Sequence, residues 1–97
     1  MARLPELTDR DALPADAHDA YDSIVATRGR VGGLFAVLMS SPEIAGRTAH
    51  FGTYIRFEKS LPQPIHELAM IVGAHECDGK LEWNAHSKAA LEAGVSP

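Results

Sequence analysis

The segment from residue 80 to residue 94, KLEWNAHSKAALEAG, concentrates side chains that could do chemistry. Glu82 and His86 are four residues apart, so on a helix they share one face, with roughly 5–6 Å between their Cβ atoms. A carboxylate beside an imidazole can fix its tautomer and raise its basicity, which suits general acid–base catalysis near neutral pH. The same spacing describes a solvent-exposed pair that stabilises a helix by only about 0.2–0.5 kcal/mol. From spacing alone, the exposed pair is the better-supported interpretation.

Glu67 is a second candidate for proton transfer. It is the last charged residue before the apolar run LAMIVGA. Most positions around this helix are apolar, so few of them are expected to face solvent. A carboxylate buried in such a place is suited to moving protons. The alternative is a glutamate in a first helical turn, where the helix dipole favours a negative charge. Trp83 is most simply a packing residue, and only secondarily a pocket wall.

The remaining histidines and the single cysteine predict neither a metal site nor a cofactor. His75, Glu76 and Cys77 are consecutive, and adjacent residues on a helix diverge rather than converge on one ion. Cys77 has no second cysteine to pair with or to resolve it, so a buried or inert thiol is expected. His18 and His50 are expected to lie on the surface.

Five helices must position these side chains, and the chain is predicted to be all-α because no segment alternates like a half-buried strand. The expected helical segments are 14–29, 31–39, 41–60, a fourth that begins near Pro64 and ends at a turn at residues 78–79, and 80–94. Gly29 suits a helix end, and Ser41 with Pro42 suits an N-cap followed by a first helical position. Gly46 and Gly52 each cost roughly 1 kcal/mol relative to alanine inside the third helix. That cost is consistent with another helix packing closely there.

The apolar pattern suggests which helix faces are buried. Ile44 and Phe51 are on one side of the third helix. On the fourth helix Ile65, Leu68 and Val72 recur at i, i+3 and i+7, and other apolar residues occupy most of the remaining circumference. A helix that is apolar nearly all round is expected at the centre of the fold.

The amino-acid composition limits which classes of protein this chain can belong to. The chain has 97 residues, 45% of them apolar, and a formal charge of −4, so a single packed domain is expected. No basic stripe is present to neutralise phosphates, so nucleic acid is not an expected partner. The longest apolar run is too short to span a bilayer and the N-terminus has no signal-peptide core, so a soluble, cytoplasmic protein is expected. A domain this small often gains stability from self-association.

The C-terminal residues Ser96 and Pro97 repeat the helix-start signature of residues 41–42. Either a further helix of the parent protein follows, or the segment is a frayed polar tail. The sequence supports both interpretations about equally.

The segment 67–94, ELAMIVGAHECDGKLEWNAHSKAALEAG, resembles the core of the carboxymuconolactone decarboxylase family, relatives of the AhpD-like alkylhydroperoxidases. The shared features are a glutamate opening one helix, Glu-Trp-x-x-His on the next, and a spacing of nineteen positions from Glu67 to His86. The upstream segments VGGLFAVLMSSPEI and LPQPIHELA also resemble the family, so the similarity covers roughly residues 30–97. The resemblance implies one domain over 1–97, an AhpD-like bundle of about five helices, with an N-terminal helical extension at 1–29.

The resemblance also implies an activity and a site. It implies a lyase acting on a small carboxylated lactone or related acid, without metal or organic cofactor, assembled as a homotrimer or hexamer. Carried over residue by residue, His86 is the general acid/base and Glu82 its orienting partner. Glu67 is a second proton carrier or hydrogen-bond anchor, and Trp83 lines the substrate pocket.

Two other functions stay open. The first is a non-catalytic oligomeric helical module of the same fold. The second and least favoured is a thiol alkylhydroperoxidase. In the peroxidase branch a Cys-x-x-Cys precedes the histidine, whereas the matching positions here are Gly79 and Glu82. A thiol peroxidase cycle needs an attacking and a resolving thiol, and Cys77 stands outside the motif.

Overall fold

The computed structural model describes residues 3–58 and 60–97, and in these residues all regular structure is helical. The α-helices are α1 His18–Arg28, α2 Leu34–Leu38, α3 Pro42–Thr53, α4 Gln63–Glu76 and α5 Lys80–Glu92. Short 3-10 turns at Arg10–Ala12 and Ala15–Ala17 precede α1, and a π-helical turn at Tyr54–Glu58 continues α3. The prediction of an all-α chain with about five helices is confirmed.

The chain forms two compact units, residues 1–58 and 59–97. The first contains α1, α2 and α3, and the second contains α4 and α5. The division expected at residues 29 and 30 falls inside the first unit, where α1 packs against α3. None of the described helices combines the length and apolar character that a bilayer crossing requires.

The core of the first unit is built largely from small residues. Ile24 and Met39 are its largest fully buried side chains. Four buried alanines accompany them, at positions 17, 36, 45 and 49. A Cβ atom added to Gly46 would lie 3.4 Å from the Cβ of Ala20, so α1 and α3 pack closely at this glycine. The helix-interior glycine therefore has the packing role that its sequence position suggested.

The buried face of α3 differs from the expected one. Ile44 and Phe51 are exposed, at 55% and 70%, whereas Ala45 and Ala49 are buried. Short side chains allow two helix backbones to approach, and the bulkier residues are therefore left on the outside. Ser41 does precede the first residue of α3, but its side chain makes no capping hydrogen bond.

The segment before α1 is fixed by polar contacts. Arg10 donates to both carboxylate oxygens of Asp22, at 2.8 and 2.9 Å, and Tyr21 donates its hydroxyl to the carbonyl of Thr8 at 2.8 Å. Nε2 of His18 lies 3.0 Å from the carbonyl oxygen of Arg10, within hydrogen-bond distance. The expectation that His18 is a surface residue is therefore wrong: it is partly buried and helps to hold this segment. His50 is exposed, as expected.

The second unit is a helical hairpin. Asp78 follows the C-terminal end of α4 and has a left-handed backbone conformation, with φ of 52°. The N–H of Gly79 donates to the carbonyl of Ala74 at 2.7 Å, and that of Asp78 to the carbonyl of His75 at 3.2 Å. This pair of bonds is the Schellman arrangement that closes many helix C-termini. It turns the chain directly into α5.

The burial pattern of α4 also differs from the expected one. Ile65, Leu68 and Val72 are each about half exposed, at 52%, 46% and 54%. His66 and Glu67 are buried, at 5% each. The expectation of a central helix with its apolar stripe buried is therefore wrong. The face of α4 that carries Glu67 is turned towards α5.

The Arg10–Asp22 pair predicts a pH dependence of stability. The hydrogen bond from Arg10 lowers the pKa of Asp22 below its ordinary value of 3.8. A carboxyl whose pKa is lowered by folding stabilises the folded state above the unfolded-state pKa, and this contribution is lost as the pH falls through the folded-state pKa. We expect Asp22→Asn to lower the melting temperature at neutral pH and to have a smaller effect at about pH 2, because the contribution of the pair is lost as the pH falls. Thermal unfolding followed by circular dichroism tests this, with Asp19→Asn as the exposed control; an equal effect of Asp22→Asn at both pH values contradicts it.

Two isoleucines provide a matched test of the core. Ile24 is fully buried and Ile44 is more than half exposed. We expect Ile24→Ala to lower the free energy of unfolding by about 2–5 kcal/mol, because it leaves a cavity. Ile44→Ala should change it by no more than about 0.5 kcal/mol. Urea denaturation measures both, and a larger effect at Ile44 would mean that its side of α3 is the buried one.

Candidate functional site

The centre of the site is a hydrogen bond between α4 and α5. Nδ1 of His86 lies 2.7 Å from Oε2 of Glu67, and the two residues are nineteen apart in the chain. The side chain of Glu67 is 6% exposed and that of His86 is 17% exposed. The hairpin thus joins a buried carboxylate to an imidazole that keeps limited access to solvent.

The second oxygen of Glu67 is also occupied. The side-chain amide of Gln63, one turn earlier on α4, donates to Oε1 at 2.8 Å. Nε2 of His66 lies 3.9 Å from the same oxygen, beyond hydrogen-bond distance but within range of electrostatic interaction. Gln63 was missed from the sequence, although its four-residue spacing from Glu67 could have revealed it. His66 was expected to point about 100° away from its neighbour Glu67 on the helix.

Glu82 lies on the other side of the imidazole. Its Oε2 is 3.4 Å from Nε2 of His86, and its side chain is half exposed. The structure therefore brings together Glu67, Glu82 and His86, the three residues singled out from the sequence. Glu67 is the closer, buried partner of the ring, as the alternative of a hydrogen-bond anchor expects, whereas Glu82 is the more distant and more exposed one.

This arrangement distinguishes the two nitrogens of His86. A carboxylate that accepts from Nδ1–H holds the imidazole in one tautomer and one orientation. The neutral ring then presents the lone pair of Nε2 towards Glu82 and the more exposed side. After Nε2 takes up a proton, the carboxylates of Glu67 and Glu82 can accept from the two N–H groups of the imidazolium. The geometry is that of an oriented acid–base histidine.

Trp83 is placed elsewhere. It lines a cleft of about 430 Å³ at the hairpin turn, whose other lining residues are Ala74, His75, Asp78, Gly79, Lys80 and Asn84. Its ring centroid is 6.0 Å from that of His75, at an interplanar angle of 57°. Glu67 and His86 do not line this cleft. Trp83, which was expected to line the substrate pocket, therefore does not share a cleft with the expected acid–base residue His86.

Cys77 is exposed at the end of α4, so of the two expected alternatives, a buried or an inert thiol, the buried one is wrong. It is ten positions after Glu67 in the chain, which corresponds to about 15 Å along a helix. The thiol is therefore at the opposite end of α4 from the Glu67 carboxylate. Among residues 3–58 and 60–97, no group of three or more acidic, histidine or cysteine side chains is arranged to hold a metal ion.

Comparison with protein-family models, curated proteins and solved structures finds no match to this chain. The resemblance to the carboxymuconolactone decarboxylase family therefore stays a prediction from the motifs.

The two glutamates around His86 differ in burial, and this predicts a difference in their effect on stability. We expect Glu67→Gln to lower the free energy of unfolding by about 1–3 kcal/mol, because it weakens a buried charge-assisted hydrogen bond. Glu82→Gln, at a half-exposed side chain, should change it by no more than about 0.5 kcal/mol. Urea denaturation at neutral pH measures both variants. Equal effects would mean that Glu67 is not the anchor of the hairpin.

Proposed function

We propose that this chain is a carboxymuconolactone decarboxylase-like lyase that acts on a small carboxylated lactone or related acid by proton transfer. The observation that carries the proposal is the position of His86 between Glu67 and Glu82. A buried carboxylate orients the ring through Nδ1, and the second nitrogen remains for a substrate. The family resemblance of residues 30–97 supplies the reaction class.

The reaction uses proton transfer at one atom. The bond between the substrate carbon and its carboxylate breaks, CO₂ leaves, and the electron pair passes into the conjugated carbonyl system as an enolate. The imidazolium of His86 then delivers the proton on Nε2 to carbon, and the neutral ring recovers a proton from water. Glu67 holds the ring and stabilises its charged form throughout.

Glu82 has a different part in this scheme from Glu67. Its half-exposed carboxylate lies beside Nε2, the nitrogen that loses and regains the proton. From there it can pass a proton between solvent and the ring. In this assignment Glu67 is the orienting partner, Glu82 is the proton carrier and His86 is the general acid/base. Trp83 contacts the substrate only if that substrate extends to the hairpin turn.

A second candidate function is a non-catalytic module that self-associates. The observation that favours it is the half-exposed apolar stripe of Ile65, Leu68 and Val72 on α4. Covering such a stripe with a second copy of the chain would remove apolar area from water. In this case the Glu67–His86 bond serves only to join α4 to α5. Self-association is also compatible with the lyase.

The test is proton NMR in D₂O with a panel of carboxylated lactones and β-keto acids, following CO₂ loss and deuterium incorporation beside the carbonyl. We expect turnover by the unaltered chain and a loss of at least about 100-fold in His86→Ala, the usual contribution of a general acid/base. His50→Ala, which removes an exposed histidine outside the site, is the matched control and should keep full activity.

The outcomes separate the two candidates. Turnover that His86→Ala abolishes while His50→Ala retains it supports the lyase. Absence of turnover over the whole panel, from a folded protein that light scattering shows to be oligomeric, supports the non-catalytic module. Turnover that survives in His86→Ala contradicts the assigned acid–base role.

A further inference from the structure

Arg28, the last residue of α1, is a partly buried cation without an acidic partner among the described residues. Its guanidinium lies over the ring of Phe35, 4.6 Å from the centroid, and 5.8 Å from the centroid of Phe57. These rings cover part of its surface and contribute cation–π attraction. Neither ring provides the hydrogen-bond acceptors that the five N–H donors of a guanidinium require.

Among the described residues, only Nη1 of this guanidinium has a hydrogen-bond partner. Nη1 donates to the hydroxyl oxygens of Thr27 at 2.9 Å and Thr53 at 3.3 Å. Nε and Nη2, which form one edge of the planar fork, make no hydrogen bond to the described residues. The same edge of Arg10 holds both oxygens of Asp22, at 2.8 and 2.9 Å. Within the described part of the chain, this edge is therefore paired with a carboxylate in Arg10 and makes no hydrogen bond in Arg28.

Among the described residues, the neighbouring charge that acts on Arg28 is positive. Arg56 lies over the ring of Phe57, 5.2 Å from the centroid, so that two guanidinium groups share one aromatic ring. Burial and the nearby positive charge of Arg56 lower the pKa of Arg28. Glu58 follows two residues after Arg56, and it is not among the groups that affect the pKa of Arg28. An anion at the open edge would reduce the repulsion between the two cations.

The backbone leaves room beside that edge. A Cβ atom on Gly52 would come within 3.1 Å of Nη2 of Arg28, closer than ordinary van der Waals contact. The absence of a side chain at Gly52 therefore lets the guanidinium lie against α3. The π-helical turn Tyr54–Glu58 follows and carries both Arg56 and Phe57. Turns of this type occur frequently at functional sites.

We propose that Arg28 is the anchor of a binding site for a small oxyanion, a carboxylate or a phosphate, which accepts from Nε and Nη2 together. Arginine forks bind both classes in this bidentate manner. The site is in the first compact unit, and the proposal is independent of the lyase proposed for the second.

The direct test follows the side-chain Nε–H resonances of the arginines by ¹H–¹⁵N NMR. Sodium acetate and sodium phosphate are titrated separately at constant ionic strength, with sodium chloride as the reference salt. We expect a saturable shift of the Arg28 signal with both oxyanions, or with only one if shape selects, and none with chloride. Equal and unsaturated shifts in all three salts would overturn the proposal and leave Arg28 as a link between α1 and α3.

Three variants locate the effect. Arg28→Lys keeps the charge but loses the fork, so the saturable response of the Arg56 signal and of nearby amides should weaken at least tenfold. Gly52→Ala places a Cβ atom close to Nη2 of Arg28 and should therefore also weaken binding. The protein should remain folded, because alanine is more favourable than glycine inside a helix. Arg47→Gln, at an exposed arginine paired with Glu43, should bind as the unaltered chain does. Undiminished binding in both Arg28→Lys and Gly52→Ala would show that the oxyanion is held elsewhere.

Discussion

The carboxylate of Glu67 is withdrawn from water between two helices, and both of its oxygens are engaged there. A buried carboxylate without such partners would cost several kcal/mol, so its surroundings are constrained. Gln63 must occupy the preceding turn of α4, and His86 must face α4 from the second half of α5. The hairpin turn at residues 77–79 then sets the register in which the two helices meet. The geometry of the candidate site depends on this one buried group.

The same constraint gives His86 its chemical asymmetry. One ring nitrogen is held by a buried partner, whereas the other faces a half-exposed carboxylate. A histidine on an isolated helix with Glu82 alone would be an ordinary surface pair. Only the contribution of Glu67 from the neighbouring helix makes it an oriented acid–base group. The proposed catalytic role is therefore a property of the hairpin and not of α5.

In the first unit the controlling factor is side-chain size. Alanines and Gly46 form the seam along which α1 and α3 approach, and the larger residues Ile44 and Phe51 are left outside. The close approach also brings Thr53 and Gly52 to the guanidinium of Arg28. The proposed oxyanion site thus arises from the same small-residue packing that builds the core. Both candidate sites combine a charged group with a close helix–helix contact.

The sequence by itself determined the helical class, the helix start at Pro42 and the helix end at Gly29, because these follow from local periodicity and backbone preference. It also singled out Glu67, Glu82 and His86, although the motif and not the spacing placed them together. Which faces are buried was decided only by the tertiary structure. The apolar stripes of α3 and α4 were predicted to be buried, but they are exposed. The spacing of apolar residues shows which face is hydrophobic, but it does not show how closely two helix backbones can approach. The orientation of His86 and the open edge of Arg28 likewise depend on partners from other helices, and no local pattern encodes such contacts.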